Sequence, residues 1–222
     1  MDAVALGECQ DIFTISRNVA DRLSRFNRLP GTPLHPPPRD AHRFHPGSYG
    51  DYLLFAGRLE RIKRVDLALR ALARGGGRAR LRVAGTGSLE ADLRRTAEKL
   101  GVADRVDFLG FVPADDLLEL YAECRGAFYT PEDEDYGYVT VEAFLSKKPV
   151  ITSSDAGGPL EFVEDDVNGY VAAPEPGALA ESIDRLFSLS EPRLREMGEA
   201  GHRRTAHITW DRVVDCLTES IR

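Results

Sequence analysis

From Asp51 onward the chain alternates short apolar runs with longer segments of helical periodicity, and that alternation leaves little choice of architecture. The runs read as strands at Tyr52 to Ala56, Arg80 to Ala84, Val106 to Leu109, Ala127 to Thr130, Pro149 to Thr152 and Gly169 to Ala172. Helical patterns lie between them, at about Lys63 to Arg74, Leu89 to Leu100, Asp115 to Glu123, Thr140 to Ser146 and Pro159 to Val163, followed by a helical tail from about Gly177 to the end. Strands separated by helices cannot close as hairpins, so the pattern predicts a parallel sheet with helices on both faces, an α/β, Rossmann-like doubly wound fold. Ligands of such sheets bind outside the carboxyl ends of the strands, so the residues that follow each strand are the candidates for function.

The 222 residues, 42% hydrophobic and 29% charged, suffice for one sizeable core, or for one domain plus a fragment of another. A net charge of -7, from 36 acidic against 29 basic residues, argues against a general nucleic-acid partner and confines any phosphate site to a local basic cluster. Cys9, Cys124 and Cys216 are odd in number and far apart, which suggests neither a disulfide framework nor a zinc site and fits a reducing cytoplasm. No apolar run approaches the roughly 20 residues of a membrane span, and the N-terminus lacks a signal pattern, which leaves only peripheral contact with a membrane open.

Upstream of the alternation, Asp11 to Ser16 reads as a strand leading into a helix from about Arg17 to Asn27, with Ser16 as N-cap. This is one strand-helix unit without neighbours. Between Leu29 and Gly50 the density of proline, including Pro36, Pro37 and Pro38, reads as an extended linker and places a domain boundary there. His42 and His45 lie in it with no carboxylate or cysteine cluster, so solvation is the better reading than a metal. The expected organisation is residues 1–50 as remnant and linker, 51–205 as the sheet domain and 206–222 as a closing helix.

The strand ends carry the chemistry. Glu134 and Glu142 flank a loop-to-helix junction that turns at Gly137; a helix N-terminus suits a phosphate, and a carboxylate one turn in can accept from ribose hydroxyls. Read alone, Glu132 to Asp135 is equally a solvated acidic loop. After the first strand of the domain, Arg58 and Lys63 could converge on a diphosphate, although alone they read as two surface cations. Gly85 and Gly87 form a partial glycine-rich loop, and Gly110, Phe111 and Val112 could offer an apolar wall to a base.

Taken in order, Phe55-Ala56-Gly57-Arg58 with Lys63, Val83-Ala84-Gly85-Thr86-Gly87, Phe108-Leu109-Gly110-Phe111-Val112, the pair Glu134 and Glu142, then Gly157-Gly158-Pro159 and Asn168-Gly169 resemble the donor-binding domain of retaining GT-B glycosyltransferases of the family 4 type. The resemblance runs from Asp51 to about Trp210. It implies that Arg58 and Lys63 hold a donor diphosphate, that Glu134 is catalytic and faces the sugar, and that Glu142 holds the ribose. It also implies that the amides of Gly137, Tyr138 and Val139 lie near the phosphates and that Val112 meets the base, with Gly85 and Gly87 beside the donor. Arg61 and Arg64 are expected to point elsewhere. The family has glycine straight after the first glutamate, and this chain departs from it with Asp135.

The reaction so implied is retaining transfer of a sugar from a nucleotide-diphosphate sugar to an acceptor glycan or lipid-linked sugar, without metal or other cofactor. The acceptor contacts would come from an N-terminal domain, of which the unit at Asp11 to Asn27 looks like the last piece, and closing helices around Asp211 to Arg222 would pack back on it. A truncated chain is expected on this ground. A nucleotide-binding or interaction module that keeps the fold without catalysis, and a GT-B-type nucleotide-sugar epimerase, are the alternatives.

Overall fold

Residues 6–219 are described in this computed structural model. Six strands, β3 (Tyr52–Ala56), β4 (Arg80–Ala84), β5 (Val106–Gly110), β6 (Gly126–Phe128), β7 (Val150–Ser153) and β8 (Gly169–Ala172), form one sheet in the order β5-β4-β3-β6-β7-β8, every neighbouring pair parallel. The helices between them are α2 (Val65–Arg74), α3 (Glu90–Lys99), α4 (Ala114–Glu123) and α5 (Tyr138–Leu145); α6 (Pro176–Ser188), α7 (Glu191–Thr205) and α8 (Trp210–Glu219) follow β8. This is the doubly wound α/β arrangement that the alternation predicts. Every residue of β3, β6 and β7 is buried, as central strands covered on both faces require. Of the closing segment, residues 220–222 lie outside the described residues.

Several sequence-based expectations are corrected. The strand at Asp11 to Ser16 shortens to β1 (Phe13–Thr14), and it has a neighbour: β1 pairs in parallel with β2 (Thr32–Pro33), inside the supposed linker. Between them α1 (Arg17–Asn27) begins where predicted, with the Ser16 hydroxyl accepting from the Val19 amide. The proline-rich segment is no free tether, since Pro37 and Pro38 are buried and the Tyr136 hydroxyl donates to the Pro36 carbonyl at 2.9 Å. Proline restricts the chain without preventing packing.

The helix expected from Lys63 is broken. Arg61–Lys63 form a 3-10 turn, Arg64 is left-handed at φ 50, and α2 starts only at Val65. Likewise Pro159 to Val163 yields a 3-10 turn at Gly158–Glu161. Periodicity locates a buried face, which a tight turn and an α-helix share over three or four residues.

Candidate active site

The strand order reverses between β3 and β6, because the chain builds outward through β4 and β5 and then returns to the other side of β3. Loops diverge at such a point and leave a crevice beyond the carboxyl ends. Here the loop after β3 brings Lys63, and the loop after β6 brings Tyr129 and Glu134. The Lys63 ammonium pairs with Glu134 Oε2 and donates to the Tyr129 hydroxyl at 3.1 Å. Tyr129 in turn donates to Glu134 Oε2 at 2.8 Å. Both charged side chains are shielded, Lys63 being 14% and Glu134 19% exposed. Burial, then the adjacent Glu134 carboxylate, pushes the Tyr129 phenol well above its usual range, so it acts as a donor here.

Arg64 was expected to point away, on the ground that successive helical residues do not share a face. That ground fails with the helix. Arg64 Nε donates to the Thr130 carbonyl at 2.8 Å, Nη2 to the Pro131 carbonyl at 2.5 Å and the Ser153 hydroxyl at 3.0 Å, and both terminal nitrogens take Asp155 at 2.8 and 2.7 Å. This bidentate clamp joins the loops after β6 and β7, and its hydrogen bonds hold the Asp155 carboxyl below its ordinary pKa. The acidic loop is equally fixed along its backbone: the amides of Glu132, Asp133 and Glu134 reach the carbonyls of Ile62, Asp155 and Ala156 at 2.9 to 3.0 Å. Glu132, Asp133 and Asp135 are exposed, whereas Glu134 is half-buried.

Helix α5 opens beside this cluster. Gly137 sits at φ 82, which only glycine adopts freely, and a Cβ there would come within 2.8 Å of Pro159. No side chain caps the helix, so the first amides, at Tyr138 and Val139, lack intrahelical acceptors and can face an anion. Tyr138 is exposed and Val139 buried. One turn in, Glu142 is the charged residue of a helix buried at Val139, Thr140, Val141, Ala143 and Phe144. It accepts from the Tyr121 hydroxyl at 2.7 Å and borders a cavity of about 120 Å³ with Arg39, Asp40 and Ala114. Burial raises its pKa and the Tyr121 bond opposes that rise.

The remaining candidates are placed less closely. Arg58 is exposed just beyond β3; its carbonyl accepts the Glu60 amide at 2.9 Å, while its guanidinium makes no hydrogen bond or ion pair among the described residues. Gly85 and Gly87 are required for packing: a Cβ on Gly85 would meet the Gly57 carbonyl at 1.9 Å, and one on Gly87 the Leu59 carbonyl at 2.5 Å, so these glycines let the loops after β3 and β4 touch. Val112 lines a separate cavity of about 420 Å³ with Leu109, Phe111 and Pro113. Lys63 and Glu134 are thus in contact, and Tyr138, Val139 and Glu142 share α5 with Gly137 at its N-cap, while Arg58 and Val112 are joined to them only by position. Tyr129, Arg64 and, on α1, Asn18 were missed. Tyr129 directly follows an apolar strand and could have been found by that place; nothing local marks the other two.

The sequence profile of the family Glycosyl transferases group 1 matches residues 39–204. An uncharacterized glycosyltransferase of Methanocaldococcus jannaschii is 35% identical over 139 residues, covering 61% of this chain and 35% of that protein. The D-inositol 3-phosphate glycosyltransferase of Mycobacterium tuberculosis is 35% identical over 175 residues, covering 76% of this chain and 36% of that protein. The chain therefore spans little more than a third of the length of these curated relatives. Among solved structures, Anabaena HepE with UDP and glucose superposes with a TM-score of 0.84 at 21% identity, over 96% of this chain and 63% of that one. Sucrose-phosphate synthase of Thermosynechococcus elongatus gives 0.85 at 22% identity, over 99% and 59%. At such identities the structural likeness speaks for the fold.

Proposed function

The chain belongs to the glycosyl transferases group 1 family, and on that premise we propose that it is the donor-binding part of a retaining glycosyltransferase that uses a nucleotide-diphosphate sugar. The observation that carries the reading is the Lys63, Tyr129 and Glu134 cluster, set at the reversal of strand order beside the uncapped start of α5. In this reading Lys63 exchanges Glu134 for the donor diphosphate, and the Arg58 guanidinium, which makes no hydrogen bond or ion pair among the described residues, joins it. The amides of Gly137, Tyr138 and Val139 face the same phosphates, so charge that builds on the leaving group meets fixed cations and dipoles. These groups do the work that a metal does elsewhere, and no metal is assigned.

Glu134, released from Lys63, faces the sugar and is the catalytic carboxylate. Glu142 accepts from the ribose, Val112 bounds the base, and Gly85 and Gly87 keep the backbone close beside the donor. The neighbour solved with UDP and glucose and the relative named for inositol 3-phosphate fit a nucleotide sugar as donor and a hydroxyl-bearing acceptor. We assign residues 51–205 to the donor domain, and 1–50 and 206–222 to crossovers toward an acceptor domain. There a glycan or lipid-linked sugar would meet the donor across the cleft of a two-domain enzyme, the enzyme as a whole making a glycoconjugate. No described helix is long and apolar enough to cross a membrane, and contact with one is proposed as peripheral, at its cytoplasmic face.

Calorimetry of the chain against UDP, GDP and ADP tests the reading. One nucleoside diphosphate should bind well above the others, with little sugar transfer by the chain alone. Absence of binding to all three would overturn the donor assignment, and robust transfer by the isolated chain would overturn the need for a second domain.

A further inference from the structure

The loop that carries Glu134 is also held from its far side, by a helix more than a hundred residues away in sequence. Asn18, in the first turn of α1, donates from Nδ2 to the Glu134 carbonyl and to Asp133 Oδ1, each at 3.0 Å. The Ser16 hydroxyl that caps α1 donates to the Asp135 carbonyl. Arg22, further along the helix, pairs with Asp135 and reaches Asp133 at 3.9 Å. Three successive loop residues thus each take a contact from one helix.

That helix has a fixed origin. The Glu161 carboxylate accepts the amides of Arg17 and Asn18 at 3.0 Å and a ring nitrogen of His35 at 2.8 Å, which pins the start of α1 to the turn after β7. The loop needs such support. Asp133 sits at φ 45, a left-handed conformation that a residue with a side chain holds only when its surroundings impose it. The fit is close as well: a Cβ on Gly157 would meet the Glu134 carbonyl at 2.6 Å and Asn18 Nδ2 at 2.8 Å.

We infer that Asn18 and Arg22 are positioning residues for Glu134, with α1 setting the path of residues 133–135 and so the place of the carboxylate beside Lys63. Asp135, where the resembling family has glycine, is what gives Arg22 its partner. The inference rests on the reading of Glu134 as the group that faces the sugar. The two contacts differ in strength. Arg22 and Asp135 are 37% and 55% exposed, so their pair is screened, whereas the Asn18 bond to the Glu134 carbonyl is shielded and carries more.

The test compares amide hydrogen exchange at residues 132–136 with affinities for UDP, GDP and ADP and for the glucose ester of whichever nucleotide the parent chain binds. Asn18→Ala should speed exchange in the loop. It should also weaken the sugar ester about tenfold while moving the bare diphosphate less than about twofold, the size of one charge-assisted hydrogen bond lost on the sugar side alone. Arg22→Asp should show a smaller effect that vanishes at high salt and is restored when Asp135→Arg is added, and it serves in place of Asn18→Ala should that variant not fold. Arg25→Ala, whose guanidinium lies over the Phe26 ring, should change neither measurement. Unchanged exchange in Asn18→Ala, or an equal loss for ester and diphosphate, would overturn the inference. If the parent binds no nucleotide, the donor reading falls and the role of Asn18 in it falls too, while the exchange rates still show whether α1 holds the loop.

Discussion

Glu142 is a carboxylate in a helix whose other residues are mostly apolar, and its environment sets it apart from Glu134. Burial pushes its pKa up, so an ionised Glu142 works against folding unless something donates to it; Tyr121 supplies one such bond. Glu142→Gln keeps the shape and the acceptor for Tyr121 but drops the charge. Affinity for the nucleoside diphosphate should fall by about 1–3 kcal/mol, read by calorimetry, while urea unfolding shows equal or greater stability. The opposite pattern, stability lost and affinity kept, would make Glu142 a structural residue. Arg58→Ala and Lys63→Ala should each weaken the diphosphate far more than the bare nucleoside, with Arg61→Ala near the parent. Arg64→Ala behaves differently from Arg61→Ala, because it strands the Thr130 and Pro131 carbonyls. It should cost about 1–3 kcal/mol of folding stability in the same urea experiment.

Between elements, Lys148 joins the proline-rich crossover to the α5–β7 turn. Its ammonium is buried, donates to the Gly47 carbonyl at 3.4 Å and to that of Ser48, and lies 4.1 Å from the centre of the Tyr49 ring. Burial lowers its pKa from 10.5 to about 8. Below that value both folded and unfolded chains carry the proton, and the penalty of burying the charge is fully present. From about pH 8 to about 10.5 the unfolded chain holds more protons, so stability rises with pH. Urea unfolding should therefore show the parent gaining on Lys148→Met between about pH 7 and about pH 10. A difference that stays flat would mean that Lys148 keeps an ordinary affinity for its proton.

At the scale of the whole molecule, the site draws on loops from both halves of the sheet, so a ligand there binds the folded chain and not the unfolded one. A nucleoside diphosphate at a hundredfold excess over its Kd should add about 2.7 kcal/mol of stability. In a domain of this size that raises Tm by about 5–10 °C, read by calorimetry or circular dichroism. Arg58→Ala should lose most of the rise at the same concentration. An equal rise in that variant would place the nucleotide away from the end of β3.

The sheet was legible in the linear chain because each strand and helix announces itself through the spacing of apolar residues, a signal local to a few turns. β3, β4 and β8 fall where their apolar runs predict, and the fold class follows from their alternation with helices. Gly85, Gly87, Lys63 and Glu134 were likewise readable as candidates from their places after strands, and Glu142 from its place one turn into the helix that follows. Partners were not. Arg64 reaches Asp155 across 91 residues, Asn18 reaches Glu134 across 116, and β1 finds β2 through a segment whose prolines suggested a tether. Periodicity reports that a face will be buried, never what will bury it. A charged side chain leaves no trace in that pattern, since its partner is chosen by where long-range packing brings the chain back. The break at Arg64 shows the same limit within one turn: the residues permit a helix, and the loops that Arg64 must reach decide against it.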